Sequence, residues 1–228
     1  MEVLDYLRGR PSFYSSEKAE LVIRSLTGVD PHAFYSQLDS SAFYAEMRAK
    51  NEYLLKNKLG NVPIETEAKF LYALCRAFAP VKVVETGPGT GVSSSFILKA
   101  LQDNSGGEMW SIEAGALRIV PLKLEFGQFI PSDLRGRWHL LMGQSKDVLP
   151  DLLYELESID LFFHDSDHGY DNMMWEFESA WPRIRAGGLL CADDVNYNSS
   201  FKDFCARHRA VPERLSRFSR FGIVKKVS

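Results

Sequence analysis

A chain of 228 residues, of which 45% are hydrophobic and 25% charged, has the composition of one globular domain with a short appendage. Its formal net charge of −3 gives no general attraction to nucleic acid or to an anionic membrane, so neither is expected as a partner. The three cysteines are too few for a disulfide framework, and no apolar run suits a signal peptide or a membrane span. We therefore expect a reducing, cytoplasmic compartment.

Residues 1–60 are predicted to form a helical N-terminal segment. Capping serines, Pro31 and the closing glycines Gly28 and Gly60 indicate three helices with no strand alternation between them. Aromatic residues are dense here. They either pack against the main domain or form a lid or a homo-oligomer contact beside a substrate pocket.

Residues 61–228 alternate short apolar runs with helical patterns, which predicts a parallel sheet covered by helices on both faces. The predicted helices cover residues 65–79, 92–102, 117–129, 146–156, 173–181 and 199–208. The predicted strands cover residues 81–85, 109–112, 138–142, 159–163, 189–192, about 212–217 and 221–226. The last two are close enough to form a hairpin, so one of them runs antiparallel to the rest of a doubly wound, seven-stranded α/β sheet.

A glycine-rich turn, VKVVETGPGTGVSSS, joins the first of these strands to a helix. Its spacing is G-x-G-x-G, whereas a dinucleotide fingerprint has G-x-G-x-x-G. The preceding acid would repel a pyrophosphate and suits an amino-bearing ligand. The alternative is a tight turn with no ligand. The candidate ligand-binding residues are Glu85, Thr86, Gly87, Gly89, Gly91 and Ser93.

Polar residues also end the next two strands. Glu113 ends the second strand, where a carboxylate can accept hydrogen bonds from both ribose hydroxyls of a nucleoside. Gln144 and Ser145 follow the third strand. Because ligands of open α/β sheets bind at the carboxyl ends of the strands, these residues are candidates for the same pocket.

Carboxylates gather at the ends of the fourth and fifth strands. Asp165 and Asp167 follow the fourth strand, and Asp193 and Asp194 follow the fifth. Like charges in one cleft raise one another's pKa, and a bound cation would remove the conflict. Oxygen ligands suit Mg²⁺, with Mn²⁺ or Ca²⁺ as alternatives. A reading without metal is also open: the aspartate pair caps the following helix and Asp165 contacts the cofactor.

His168 lies in the same loop and has an ordinary pKa near neutrality, as a general base requires. We favour His168 as the base, with Asp167 as the competitor. His139 and His164 lie within strands and are expected to be structural. The basic residues near the C-terminus, Arg220 among them, are expected on a solvated face.

Five sequence strings, taken together and in their order along residues 61–228, resemble the class I S-adenosylmethionine (SAM)-dependent methyltransferases. Within that class they resemble the small-molecule O-methyltransferase branch. They are VVETGPGTGVSSS, SIEA, GQS, DLFFHDSDHGYDN and AWPRIRAGGLLCADDV. The last two resemble macrolide and aminocoumarin sugar O-methyltransferases and cephalosporin-hydroxylase-like proteins. Residues 1–60 resemble no family that we can name.

This resemblance implies a Rossmann-like fold with SAM as cofactor. It implies Glu85 near the methionine part of SAM, Glu113 on the ribose, Gln144 and Ser145 near the adenine, and Asp165 in contact with the cofactor. It also implies Asp165, Asp193 and Asp194 as ligands of a divalent cation, with Mg²⁺ favoured. The catechol-type branch usually has Asn where this chain has Asp194, so the resemblance favours the sugar-modifying branch.

The expected function is methyl transfer from SAM to a hydroxyl group of a small molecule, assisted by the metal and by His168 or Asp167 as base. One alternative is an NAD-dependent oxidoreductase, against which Glu85 and the glycine spacing argue. The other is a non-catalytic partner subunit that binds SAM or metal.

Overall fold

The computed structural model describes residues 16–57, 64–115, 125–215 and 220–227. One seven-stranded sheet has the order β3-β2-β1-β4-β5-β7-β6. Its strands are β1 (Lys82–Thr86), β2 (Glu108–Glu113), β3 (Trp138–Met142), β4 (Ile159–His164), β5 (Ile184–Ala192), β6 (Pro212–Arg214) and β7 (Gly222–Lys225). Strands β1 to β5 pair in parallel, and β7 runs antiparallel to both β5 and β6. The predicted Rossmann-like, doubly wound fold class is confirmed.

Helices cover both faces of the sheet. They are α1 (Ser16–Thr27), α2 (His32–Asp39), α3 (Ala42–Lys56), α4 (Lys69–Phe78), α5 (Val92–Asp103), α6 (Ser145–Leu156), α7 (Tyr170–Ala180) and α8 (Ser200–Arg207). Helices α1 to α5 share one hydrophobic cluster with Val83 and Leu161 of the strands. Helices α6 to α8 share the other cluster with Val84 and Phe162. Adjacent strand residues thus point to opposite faces, as the pleat requires.

The N-terminal helices pack on the main domain through aromatic rings. Phe96 of α5 is fully buried. Its ring centroid lies 5.2 Å from that of Phe43 and 6.3 Å from that of Tyr44, both edge to face. The three helices predicted before Gly60 are present as α1, α2 and α3. The joint predicted near Asn61 lies outside the described residues.

The helix predicted over residues 117–129 is wrong where the structure describes it, since residues 126–129 form turns. The backbone there bonds elsewhere: the Gly127 and Phe129 amides donate to the carbonyls of Gly89 and Thr90, both at 2.9 Å. These bonds attach the stretch to the glycine-rich turn and take the amides from a helical ladder. Residues 116–124 lie outside the described ranges.

Two other predicted boundaries need correction. Strand β5 begins at Ile184, well before the predicted Leu189, because Gly187 and Gly188 lie within the strand, where the pairing with β4 shifts register. The helix predicted from residue 65 begins as a π-helical segment, Ile64–Ala68, before α4.

The buried thiols and the helix lengths agree with the composition. Cys75, Cys191 and Cys205 are all buried and free. In the four described ranges, none of the helices combines the length and the apolar character needed to cross a membrane.

We expect Phe96→Ala to lower the free energy of unfolding by about 3–5 kcal/mol, since it leaves a cavity between α5 and the N-terminal helices. Leu21→Ala is the control, because the Leu21 side chain on α1 is 56% exposed and its truncation should change stability by less than about 0.5 kcal/mol. Urea unfolding measures both. Equal midpoints for the two variants would contradict the packing described for Phe96.

Candidate functional site

The carboxyl ends of the central strands meet in one cleft, and backbone hydrogen bonds set their register. The amide of Gly87 donates to the carbonyl of Ile112, and the amide of Asp165 donates to that of Thr86, both at 2.9 Å. These bonds join the ends of β1, β2 and β4. The polar residues that follow each strand therefore surround the glycine-rich turn, as the sequence predicts.

The glycine-rich turn needs glycine for two different reasons. At Gly87, with φ +80°, a Cβ would lie 2.1 Å from the carbonyl oxygen of Asp165, so a side chain there would collide with the backbone after β4. At Gly89, with φ +51°, a Cβ would meet nothing within 4 Å. The turn therefore packs tightly against β4 at its start and faces open space at its centre, where a ligand can approach the backbone.

Glu85 is a fully buried carboxylate with one free oxygen. Ser94 and Ser111 donate to its Oε2 at 2.8 and 2.6 Å. Its Oε1 has no hydrogen-bond partner among the described residues. Burial raises the pKa of Glu85 to about 7, although the two serine hydroxyls oppose the rise. The neighbouring Ser93, predicted as a ligand contact, is also buried at the start of α5.

Glu113 contacts the same turn from the end of β2. Its Oε2 accepts a hydrogen bond from the Gly89 amide at 3.3 Å. The Gly143 amide donates to the Glu113 carbonyl at 2.8 Å, which brings the end of β3 alongside. Gln144 is exposed there and Ser145 begins α6. The structure thus brings Glu113 and Gln144 to one side of the cleft, whereas the Ser145 side chain hydrogen-bonds the buried Glu176.

Thr86 does not face this cleft, because its side chain belongs to a buried network around Glu176. Glu176 accepts hydrogen bonds from Thr86 Oγ1 at 2.6 Å and Ser166 Oγ at 2.8 Å. Its Oε2 also lies 2.7 Å from His164 Nδ1, and Asn172 Nδ2 donates to Oε1 at 3.3 Å. This network fixes the loop after β4 from beneath, and His164 has the structural role predicted for it.

Sequence reasoning missed Glu176. The residue stands in the string MMWEF, whose methionines and aromatic residues indicate the apolar face of a helix. Met173, Met174 and Phe177 are indeed buried, and Glu176 is as buried as they are. An acid at a buried position of an amphipathic helix was the available signal, since such a group needs donors around it.

Asp193 and Asp194 are paired with Arg220, which corrects the prediction of a solvated basic face. Arg220 Nη2 lies 3.2 Å from Asp193 Oδ2, and Arg220 Nε lies 2.5 Å from Asp194 Oδ1. The two aspartate side chains are 14% and 8% exposed. Lys225 and Lys226 likewise donate to backbone carbonyls of the fold. Arg220, Lys225 and Lys226 are therefore used inside the structure, whereas Arg207 and Arg209 are exposed, as predicted.

Other acids contribute to this cluster. Burial raises the pKa of Asp165 well above its usual range, and the Asp193 carboxylate adds to the rise. Glu67, from the π-helical segment, was not predicted. Its pKa is raised to about 8 by burial and then by Asp193, with Arg220 opposing. Three strand-end aspartates, Glu67 and one guanidinium thus share one partly dry region.

His168 lies beside the cluster and has one nitrogen against it. Its Nε2 is 3.4 Å from Asp194 Oδ2, and its side chain is 20% exposed. Its Nδ1 is buried without a hydrogen-bond partner in the described ranges. Burial lowers the His168 pKa, although Asp194 opposes the fall. Asp167, the competing candidate, is exposed and its Oδ1 accepts from the Gly169 amide at 2.9 Å.

The donor arrangement does not fit the divalent cation that the resemblance implies. Within the described part of the chain, no three His, Cys, Asp or Glu side chains form a metal-binding group. The cause lies in the contacts: Arg220 holds one oxygen of Asp193 and one of Asp194, and His168 stands against the other oxygen of Asp194. A guanidinium already occupies the position from which a cation would neutralise the pair.

Known proteins share this architecture. Residues 84–195 match the family model for a methyltransferase domain. An O-methyltransferase from Bacillus cereus in complex with SAH is 19% identical with a TM-score of 0.60, covering 90% of this chain and 100% of its own. TomG, the Streptomyces achromogenes O-methyltransferase of tomaymycin synthesis, solved with SAM, is 15% identical with a TM-score of 0.58, covering 80% and 90%. SAH-bound PaMTH1 from Podospora anserina is 13% identical with a TM-score of 0.58, covering 96% and 100%.

Among curated proteins, no sequence matches the chain. The fold and the family model agree with each other and with the order of the strings noted in the sequence. The chain thus has the fold of the class I SAM-dependent methyltransferases, and its residues 84–195 match the model of a methyltransferase domain.

We expect Glu176→Ala to lower the free energy of unfolding by about 2–4 kcal/mol, because it leaves Thr86, His164 and Ser166 without their buried acceptor. The control on the same helix is Glu178→Ala, which breaks only partly exposed contacts with Arg207 and His208 and should cost less than about 1 kcal/mol. Urea unfolding compares the two. A smaller loss for Glu176→Ala than for the control would contradict the role of this network.

Proposed function

We propose that this protein transfers the methyl group of SAM to a hydroxyl oxygen of a small molecule. The observation that carries the proposal is the buried Glu85 carboxylate with one unpartnered oxygen, set beneath a glycine turn that is open at Gly89. Two of the similar structures are described as O-methyltransferases, which supports oxygen as the acceptor atom.

The residues around the turn fit SAM. The free Glu85 oxygen suits an ammonium group, because a buried carboxylate gains most from a positively charged donor. Glu113 suits the ribose hydroxyls, and Gln144 and Ser145 suit the adenine edge. When bound, SAM supplies a methyl group on a positively charged sulfur. The chain's own task is to hold the acceptor oxygen in line with that methyl group and to remove its proton.

His168 is the proposed base. The Asp194 carboxylate 3.4 Å from Nε2 favours the tautomer with its proton on that nitrogen, which leaves the buried, unpartnered Nδ1 as the basic nitrogen that the bound acceptor has to reach. The lowered pKa keeps the ring neutral, and therefore able to accept a proton, at neutral pH. Asp167 is less suited, because its carboxylate is exposed and already accepts from Gly169.

The contacts of Arg220 argue against the predicted assistance by Mg²⁺, Mn²⁺ or Ca²⁺. A cation bound by Asp165, Asp193 and Asp194 would require Arg220 to leave the pair that it contacts. We therefore assign no step of the transfer to a metal. A small-molecule hydroxyl remains the proposed acceptor, with the sugar-modifying branch as the resemblance has it.

The two rival functions are less well supported. An NAD-dependent oxidoreductase would place a pyrophosphate near the buried Glu85 carboxylate, which would repel it. A non-catalytic subunit would have no use for a neutral, partly buried histidine beside the cluster. Binding of SAM against NAD separates the first rival, and methyl transfer separates the second.

Residues 1–60 are proposed to govern access of the acceptor and contact between copies of the chain. Helix α3 contacts the stretch that supports the glycine turn: Lys50 Nζ donates to the Phe129 carbonyl at 2.9 Å, and the Tyr53 ring lies 6.5 Å from the Phe129 ring. Tyr53 is 45% exposed. The segment is therefore close to the cofactor turn while part of its aromatic surface stays open.

We expect SAM affinity to rise with pH towards about 7, because Glu85, with a pKa raised to about 7 by burial, must lose a proton before it pairs with an ammonium group. The limiting change is about ten-fold per pH unit. Calorimetry in buffers of different ionisation enthalpy detects the released proton. Glu85→Gln should weaken binding and remove the pH dependence, whereas Glu113→Gln should weaken binding and keep it. A pH-independent wild type would refute this pairing.

We expect His168→Ala to keep SAM affinity and to lose turnover by about 10²–10⁴-fold, the share of a general base. Wild-type activity should fall on acidification with a midpoint below 6.5, since burial lowers the His168 pKa from that value. His139→Ala, at the solvated edge of the sheet, should leave turnover unchanged. Assays use a panel of phenol and sugar acceptors, and NMR titration of the imidazole checks the pKa independently. An elevated His168 pKa, or full turnover in His168→Ala, would count against this assignment.

A further inference from the structure

We propose that Arg220 is the built-in cation of this site: it stands where the family resemblance implies a divalent metal, and it positions Asp194 against His168. The inference rests on the proposed methyl transfer. The inference also goes beyond the proposed methyl transfer. It assigns a role to a residue that the sequence predicts on the surface, and it leaves no place for a metal in the site as arranged.

The guanidinium contacts both aspartates from different nitrogens. Nη2 approaches Asp193 at 3.2 Å and Nε approaches Asp194 at 2.5 Å. The planar, permanently charged fork of arginine matches two carboxylates better than a single ammonium would. The arginine side chain is 37% exposed while both carboxylates are largely buried, so the charge lies at the mouth of the cluster.

The backbone fixes Arg220 in this place. The Val195 amide, directly after the aspartate pair, donates to the Arg220 carbonyl at 2.8 Å. Two residues further on, Gly222 pairs with Ala192 as β7 begins. The antiparallel pairing of β5 with β7 thus brings the guanidinium to the end of β5. It is held there by the sheet as well as by its own ion pairs.

The Arg220 guanidinium favours the ionised forms of the neighbouring carboxyl groups. Asp165, Asp193 and Glu67 lie in one region where burial disfavours their ionised forms, and Arg220 opposes that effect at all three. A divalent ion added beside the guanidinium would meet a like charge at short range in a partly dry site. The Arg220 guanidinium supplies the neutralisation for which sequence reasoning invoked a metal.

Arg220 acts on the proposed base through Asp194. One oxygen of Asp194 faces Arg220 and the other faces His168 Nε2. A carboxylate held from one side presents its second oxygen in a fixed direction. Arg220 is therefore a positioning residue, and its loss should leave Asp194 free to turn or to accept another cation.

The test uses Mn²⁺ alone as the probe, followed by electron paramagnetic resonance and calorimetry on the full chain. Wild type and the charge-preserving Arg220→Lys should bind no Mn²⁺ at millimolar concentration. Arg220→Met, which keeps the length but removes the charge, should bind Mn²⁺ with a dissociation constant at least about ten-fold below the highest concentration at which wild type shows no binding. The gain should disappear when Asp193→Asn is added to Arg220→Met.

Two results would overturn the inference. One is Mn²⁺ binding by wild type that Asp193→Asn abolishes, which would show a working metal site and can be measured even if Arg220→Met does not fold. The other is no gain of Mn²⁺ in a folded Arg220→Met protein. A parallel SAM titration separates the two proposals. Wild-type protein that binds no SAM would contradict the methyl-transfer proposal. Wild-type protein that binds both SAM and Mn²⁺ would contradict only the role of Arg220.

Discussion

Neutralising buried carboxylates is the constraint on which the rest of this structure depends. The parallel strands of the sheet all end on one side, and acids follow four of them. Each buried carboxylate is compensated by a different set of partners. Serine hydroxyls hold one oxygen of Glu85, a ring of donors surrounds Glu176, and a guanidinium pairs with Asp193 and Asp194. Glu85 Oε1 is left without a partner among the described residues, as are Asp193 Oδ1 and His168 Nδ1, and such uncompensated buried atoms are candidates for contact with a ligand.

Local pattern predicted the fold and the outline of the site. Alternating strands and helices, glycines at the turn and acids at strand ends are all signals that lie within a few residues of one another. The seven strands and the convergence of Glu85, Glu113 and Asp165 follow from that pattern together with the geometry of parallel sheets. The structure added little to these beyond exact boundaries.

The contacts that were missed are those between distant parts of the chain. Arg220 lies 27 residues from Asp193, on the far side of a helix and a strand, so no spacing relates the two. Glu67 enters the cluster from a helix before β1. The stretch from Gly127 to Ile130 has a sequence compatible with a helix, but its amides are used to brace the glycine turn. In each case tertiary contacts outweigh local preference.

The brace beneath the glycine turn has a thermodynamic consequence. The turn is hydrogen-bonded to residues 127 and 129, and residue 129 is in turn held by Lys50 and Tyr53 of the N-terminal helices. Ordering of the glycine turn and docking of helix α3 are therefore energetically coupled. By linkage, a ligand that favours the braced conformation of the turn tightens the attachment of the N-terminal helices to the same degree that their attachment tightens its binding.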